Sequence, residues 1–281
     1  MHPKSAALRL HVESALAGRV ASPFRLPERE PPCTVSTGIP VLDEISGGLP
    51  RGCLTEIYGS PSSGKTSFLQ STLAMRTANS EVCALVDAQD SFDPGCAQFA
   101  GVSLRRLLWI RCKNLDQAFR SADVLLHGGG LSLLAMDLSD VPARLVRQIP
   151  LSVWFRLRRT VENTSTILLV LSRESNAKTC ASLVLRIEKE EAAWSLRERQ
   201  IPSRVFHTPA CLFDGWRTAA EVIRSSARRK NLHFLNHSTI SGSANRELVR
   251  FDLCPNRVRG DYSFNGTRSF LSEKERKKDP G

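Results

Sequence analysis

Four absences narrow what this chain of 281 residues can be. Its eight cysteines, at 33, 53, 83, 96, 112, 180, 211 and 254, form no C-x-x-C pair. Scattered thiols, several inside apolar stretches, argue against a disulfide framework or a zinc site and for buried, reduced cysteines in a cytosolic protein. No run of about 18 apolar residues occurs, so no membrane-crossing helix is expected. The N-terminus lacks the apolar core of a signal peptide, and no internal repeat is visible. The expectation is a cytoplasmic protein, long enough for one sizeable core and a small appendage.

Positive charge is in excess. The formal net charge is +11 and the isoelectric point is about 9.6. Such a balance favours an anionic partner, most often nucleic acid, although a merely soluble basic protein has the same composition. Hydrophobic content of 41% and charged content of 24% are ordinary for a globular protein.

The strongest local signal is Gly59-Ser60-Pro61-Ser62-Ser63-Gly64-Lys65-Thr66, which fits G-x-x-x-x-G-K-[ST]. The glycines let successive N–H groups turn inward toward phosphate oxygens. Lys65 can reach the β and γ phosphates, and the Thr66 hydroxyl can hold Mg²⁺. Residues 52–58 read as a buried strand leading into the loop. Residues 67–75, starting at Ser67, read as a helix with its positive end aimed at the anion. A Gly/Ser turn that happens to contain a lysine would lack this strand-loop-helix context.

Residues 4–19 read as an amphipathic helix with Leu8, Val12, Ala15 and Leu16 on one face, followed by a Pro-rich linker over 20–32. That helix either folds back on its own domain or docks on another protein or protomer. Apolar strands are expected at 82–86, 107–110, 131–137 and 166–171, with a helix from 116 to about 127. The strand over 131–137 ends in Asp137. A carboxylate at the end of an apolar strand can hold Mg²⁺ directly or through water, and it is also a common turn residue. Residues 142–163 read as a helix mixing core residues with Arg144, Arg147, Arg156, Arg158 and Arg159. This is either a solvated face or a patch that follows a nucleic-acid backbone. A closing hairpin is expected over 181–187 and 192–196, and a helix within 211–226. From residue 224 onward 13 Lys/Arg stand against 6 Asp/Glu, and residues 228–281 read as mostly disordered or loosely attached. The alternation of strands and helices gives an α/β fold, a mostly parallel sheet with helices on both faces.

Several stretches together resemble the RecA recombinase family: Thr37-Gly38, Leu42-Asp43, Gly47-Gly48-Leu49-Pro50-Arg51-Gly52, Glu56-Ile57-Tyr58-Gly59 and the phosphate loop. Asp87-Ala88-Gln89 followed by Phe92-Asp93-Pro94 continues the likeness. The resemblance covers about residues 34–190. It implies a RecA-like core at 33–200, with the N-terminal helix and linker at 1–32 before it and a basic, partly disordered region at 201–281 after it. It implies ATP and Mg²⁺ as cofactors, bound through residues 59–67, with Thr66 and Asp137 on the metal and Asp93 against the base. DNA, above all single-stranded, and further copies of the chain become the expected partners.

Three departures bear on mechanism. Gln89 stands where the family has the glutamate that activates water. Glutamine can orient water but cannot take its proton, so slow or absent hydrolysis is expected, with Gln89 and Lys65 as the catalytic candidates. Ser172-Arg173 stands where the family's phosphate-sensing Asn-Gln is usual. The two DNA-binding loops are cut short, and Cys96 falls near the position of the aromatic that would cover adenine. By architecture the chain resembles the ImuA-type RecA homologues of damage-induced mutagenesis. Two readings stay open. One is a DNA-dependent ATPase in repair. The other is a degenerate adaptor that recruits a repair polymerase or RecA itself through its helix or tail. A small-molecule kinase is disfavoured, because no lid segment with paired arginines is present.

Overall fold

The computed structural model describes Ser14 and residues 32–162, 164–196, 211–225 and 248–253, with side chains omitted for 193–196, 211–216 and 248–253. The helix expected over 4–19 and the linker over 20–32 fall almost entirely outside the described residues, as does most of 228–281.

Strands β1 (Thr34–Val35) and β2 (Leu49–Pro50) make a small antiparallel pair around helix α1 (Pro40–Ser46). The main sheet follows: β3 (Leu54–Tyr58), β4 (Cys83–Asp87), β5 (Leu107–Arg111), β6 (Leu133–Asp137), β7 (Ile167–Ser172), β8 (Leu183–Leu196), β9 (Cys211–Ser225) and β10 (Leu248–Leu253). Their spatial order is β10-β9-β8-β3-β7-β6-β4-β5. The strands from β8 to β5 pair in parallel, whereas β8–β9 and β9–β10 are antiparallel. The helices are α2 (Lys65–Ala78), α3 (Pro94–Phe99), α4 (Leu115–Gly128), α5 (Ala143–Arg147) and α6 (Leu151–Glu162).

Side chains alternate across the sheet with period two, as the pleat requires. Leu54, Val86, Leu134, Met136, Leu168 and Val170 meet α4, α5 and α6 through Phe119, Val146, Trp154 and Leu157. Ile57, Leu85, Leu133, Leu169, Leu171 and Leu185 meet α1 and α2 through Leu42, Phe68, Leu69 and Leu73 on the opposite face. Both faces are therefore covered, which is why the parallel strands read as uninterrupted apolar runs.

Three expectations are corrected. The helix expected over 142–163 is two helices, because Pro150 has no N–H to continue the ladder and disfavours helical backbone at Ile149. The hairpin over 181–196 is one continuous strand, β8, whose antiparallel partner is β9. The helix expected within 211–226 is β9 itself. β9 and β10 carry the sheet past residue 200, and β10 lies within the stretch read as loose.

At the N-terminal ends of the strands, opposite the phosphate loop, an ionic clasp ties separate elements together. Arg51 Nη2 donates to Glu81 Oε1 at 2.7 Å, and Arg76, almost fully buried, reaches Glu81 Oε2 at 3.4 Å. The Ser132 hydroxyl also donates to Glu81, and Arg51 donates to Ser165 O at 3.1 Å. Burial pushes the Glu81 carboxyl up, but Ser132 and the two guanidinium groups outweigh it and hold the carboxyl below its usual range. The folded-state value is depressed, so the contribution is full above the unfolded glutamate value of about 4.3 and is lost as pH falls through the lower folded value. Glu81→Ala is expected to lower stability by about 1–3 kcal/mol at neutral pH. Denaturant melts below about pH 4 should show the gap between variant and wild type closing.

Candidate functional site

β3 runs between β7 and β8, so its C-terminal end opens at the middle of the sheet. The turn there has no room for a side chain. A Cβ on Gly59 would lie 1.9 Å from Ile187 O and 2.9 Å from Ser63 Oγ. The loop then passes through left-handed backbone at Ser62 (φ 59°) and at Gly64 (φ 97°), the residue before α2. No side chain caps α2, so the first N–H groups of a 14-residue helix face the loop's hollow without a side-chain acceptor. That is the geometry of an anion cradle. Ser60, Pro61, Ser62 and Thr66 are exposed, Ser67 is half-buried and Ser63 is buried.

Lys65 is 5% exposed. Its ammonium donates to Gly59 O at 2.8 Å, Ser60 O at 2.7 Å and Ser63 Oγ at 3.4 Å, and so curls the loop around itself. Burial lowers its pKa, Asp137 and Asp140 oppose this, and Arg173 adds to the lowering. Those charges lie at the end of β6 and on the segments that follow β6 and β7, and β7 is the neighbour of β3.

Asp137 ends β6, two strands from β3 with β7 between. Its Oδ1 accepts from Ser139 N at 2.9 Å. Burial pushes its carboxyl up; the bond from Ser139 N opposes this, and Asp87 and Asp140 add to it. A cation beside it would reverse that shift. No cluster of three or more metal-ligating side chains occurs among the described residues. A carboxylate and a hydroxyl such as Asp137 and Thr66 are hard oxygen donors of the kind Mg²⁺ takes alongside a ligand's phosphate oxygens.

Gln89 is exposed and follows β4, whose Asp87 is register partner of Asp137. Ala88 N donates to Asp137 O at 3.3 Å, which keeps the two strand ends together. Asp87 is fully buried and organises the turn. It accepts from Gln89 N at 3.2 Å, Ser91 N at 3.2 Å, Phe92 N at 2.9 Å and Trp109 Nε1 at 3.3 Å. Arg111 pins Asp90 from outside through Nε at 2.5 Å and lies over the Trp109 ring. Asp93 is exposed. It caps α3, accepting from Gly95 N at 2.7 Å and from Cys96 N and Sγ at 3.2 Å each. No hydrogen bond or ion pair among the described residues joins it to the phosphate loop.

Two acids quoted in the sequence only as part of the family likeness turn out to organise loops. Besides Asp87, Glu56 in β3 is fully buried and accepts from Ser175 Oγ at 2.7 Å, Asn176 N at 2.6 Å and Ala177 N at 3.0 Å. It fixes the loop after β7 three residues before the phosphate loop begins. An acid inside an apolar strand is the signal for such a role, since a buried carboxylate must find donors. Arg147 Nε donates to Glu174 Oε2 at 2.6 Å, tying the segments after β6 and β7 to each other.

Residues 28–148 match the family model for the RecA N-terminal domain. The chain is 41% identical to the protein RecA of Rhizobium rhizogenes over 106 residues, which is 37% of this chain and 29% of that one. It is 39% identical to RecA of Chlorobaculum tepidum and 40% identical to RecA of Cutibacterium acnes, each over 105 residues, 37% of this chain and 30% of the relative. The core is thus RecA-like, and the chain spans under a third of the length of these relatives. The matched segment carries the phosphate loop, the Gln89 turn and Asp137 and ends before β7. No helix among the described residues is long and apolar enough to cross a membrane.

Glu56→Ala is expected to strip three donors of their acceptor and cost about 3 kcal/mol. Amide exchange at Asn176 and Ala177 should quicken more than exchange in β6. Unchanged protection at those two amides would show that Glu56 does not hold the loop.

Proposed function

We propose that this is a RecA-like ATP-binding protein of DNA repair or recombination that contacts DNA through its basic surface and hydrolyses ATP slowly. One observation carries the reading. A strand, a tight glycine loop and an uncapped helix converge on a buried Lys65, two strands from the strand that ends in Asp137, within the segment similar to RecA. Residues 59–67 hold the phosphates, with Lys65 toward the β and γ groups. Thr66 and Asp137 hold Mg²⁺, which neutralises charge on the phosphates. Gln89 sits beside Asp137 on a turn fixed by Asp87 and orients water without removing its proton. The capping role of Asp93 leaves an exposed carboxylate beside the same turn, available to a base.

The net charge of +11 supports DNA as the partner, single strands above all. Helix α6 buries Trp154, Leu157 and Val161 and turns Phe155, Arg156 and Arg159 outward. An aromatic among arginines suits stacking and phosphate contact together. Self-association belongs to the same reading. The short segments 138–142 and 173–180 after β6 and β7 support a specialised relative of the ImuA type, in damage-induced mutagenesis, over a strand-exchanging recombinase. Gln89 favours a second reading as well: a nucleotide-gated adaptor for a repair polymerase or for RecA.

Purified protein with Mg²⁺ is expected to bind ATP and turn it over below about 1 s⁻¹, faster with single-stranded DNA. Lys65→Ala should lose binding while its melting temperature stays near that of wild type. Gln89→Glu should raise turnover by about a hundredfold, the low end for adding a general base. Tight ATP binding with no turnover, with or without DNA, would select the adaptor. Absence of ATP binding in the wild type would defeat both readings.

A further inference from the structure

Gln89 lies on the turn that joins β4 to α3. Among the described residues its side chain makes no hydrogen bond, so the backbone of that turn sets where its amide points. The turn is strained, because Asp90 is a non-glycine residue in left-handed backbone, at φ 56°. What holds it comes from β5, at one end of the strand order. Arg111 closes a fork on Asp90, through Nε to Oδ1 at 2.5 Å and through Nη2 to Oδ2. Its guanidinium carbon lies 5.1 Å from the centre of the Trp109 ring. Trp109 meets Phe92, one residue before the Asp93 cap, edge to face at 5.4 Å. Trp109 Nε1 also donates to Asp87 at 3.3 Å, the carboxylate that gathers the amides of Gln89, Ser91 and Phe92. The stack Arg111-Trp109-Phe92 thus starts on Asp90 in the middle of the turn and ends at its close, and Asp87 bonds to turn and stack alike.

Resting on the reading above, in which residues 59–67 hold ATP and Gln89 orients water, we propose that Trp109 and Arg111 are positioning residues for hydrolysis: a brace from β5 that keeps the Gln89 amide aimed at the water. In the step served, the water oxygen bonds to the terminal phosphorus as the bond to the leaving diphosphate breaks. The water's proton ends on the released phosphate or in solvent, since Gln89 cannot take it. A group that only orients must be placed well, and a loose turn would spread its amide over many positions. Ala88 N, bonded to Asp137 O at 3.3 Å, fixes the first residue of the turn, and the brace fixes the rest. The brace holds no phosphate, so its loss removes rate and leaves affinity. Arg111 and Asp90 are both exposed, and such a pair adds little to the stability of the fold.

The test measures ATP turnover and ATP affinity, with Mg²⁺ and without DNA, in the wild type and in the Gln89→Glu variant, whose carboxylate enlarges the signal. Each carries in turn Arg111→Ala, Arg111→Lys and Trp109→Phe, with Lys65→Ala as the blank. Arg111→Ala should lower kcat about tenfold or more and leave KM and ATP affinity within about twofold, as expected when a group is misplaced and binding is untouched. Arg111→Lys keeps the charge over the ring without the fork and should recover part of that rate. Trp109→Phe keeps a ring and loses the N–H to Asp87, and should lower kcat with the same split. Amide exchange at 89–92 should quicken in Arg111→Ala and Trp109→Phe while β6 keeps its protection. An unchanged kcat in both of those variants overturns the proposal. So does a fall in ATP affinity that matches the fall in rate, which would mark a general structural role. If the wild type binds no ATP, the nucleotide-binding reading fails first. If wild type and Gln89→Glu both bind ATP in a Lys65-dependent way and neither turns it over, ATP binding stands and this proposal fails.

Discussion

β3 has strands in parallel register on both sides, and that constraint sets the position of nearly everything functional. Thr55 pairs with Leu169 of β7 and with Leu183 of β8, and β3 cannot slide without breaking both ladders. The chain must then leave β3 where Ile187 O closes over it, and only a residue without a Cβ passes. The phosphate loop follows directly from that exit. Lys65 is drawn back to the carbonyls of Gly59 and Ser60 because its ammonium, once buried, needs acceptors. The curled loop is therefore a consequence of strand packing and of one buried cation, before any ligand is considered.

The same sheet uses acids to hold its loops. Glu56 and Asp87 are fully buried, with donors drawn mostly from backbone N–H groups. Backbone N–H groups at the start of a loop must find acceptors, and a strand-borne carboxylate can satisfy several at once. Glu56 does this for the segment after β7, and Asp87 does it for the turn carrying Gln89. At the opposite edge, Glu81 meets cations instead, bridging Arg51 and Arg76. One end of the sheet thus places acids where loops need shape, and the other pairs them where elements need joining.

The parallel strands were legible because burial on both faces leaves no polar alternation, and residues 82–86 or 166–171 can hardly be read otherwise. The phosphate loop and Asp137 were legible because each needs a particular residue at the end of such a strand. β9 was not. Leu212, Trp216 and Ala220 recur at a spacing that suits one helix face, and the strand forms because β8 offers an edge to pair with, its partners lying 15 to 42 residues away in the chain. The break at Pro150 was visible as a proline but was outweighed by the apolar pattern around it. The cap that Asp93 makes was also legible, since an aspartate one residue before Pro94 fits a helix N-terminus.

The charged groups beside the phosphate loop stand on unequal footing. Asp140 is exposed and joined to Arg173 only at 3.9 Å, a pairing that water and salt weaken. Asp137 is different, because burial disfavours its charged form and the bond from Ser139 N only partly offsets that cost. A cation beside Asp137 would relieve the cost, whereas one beside Asp140 has little burial penalty to relieve.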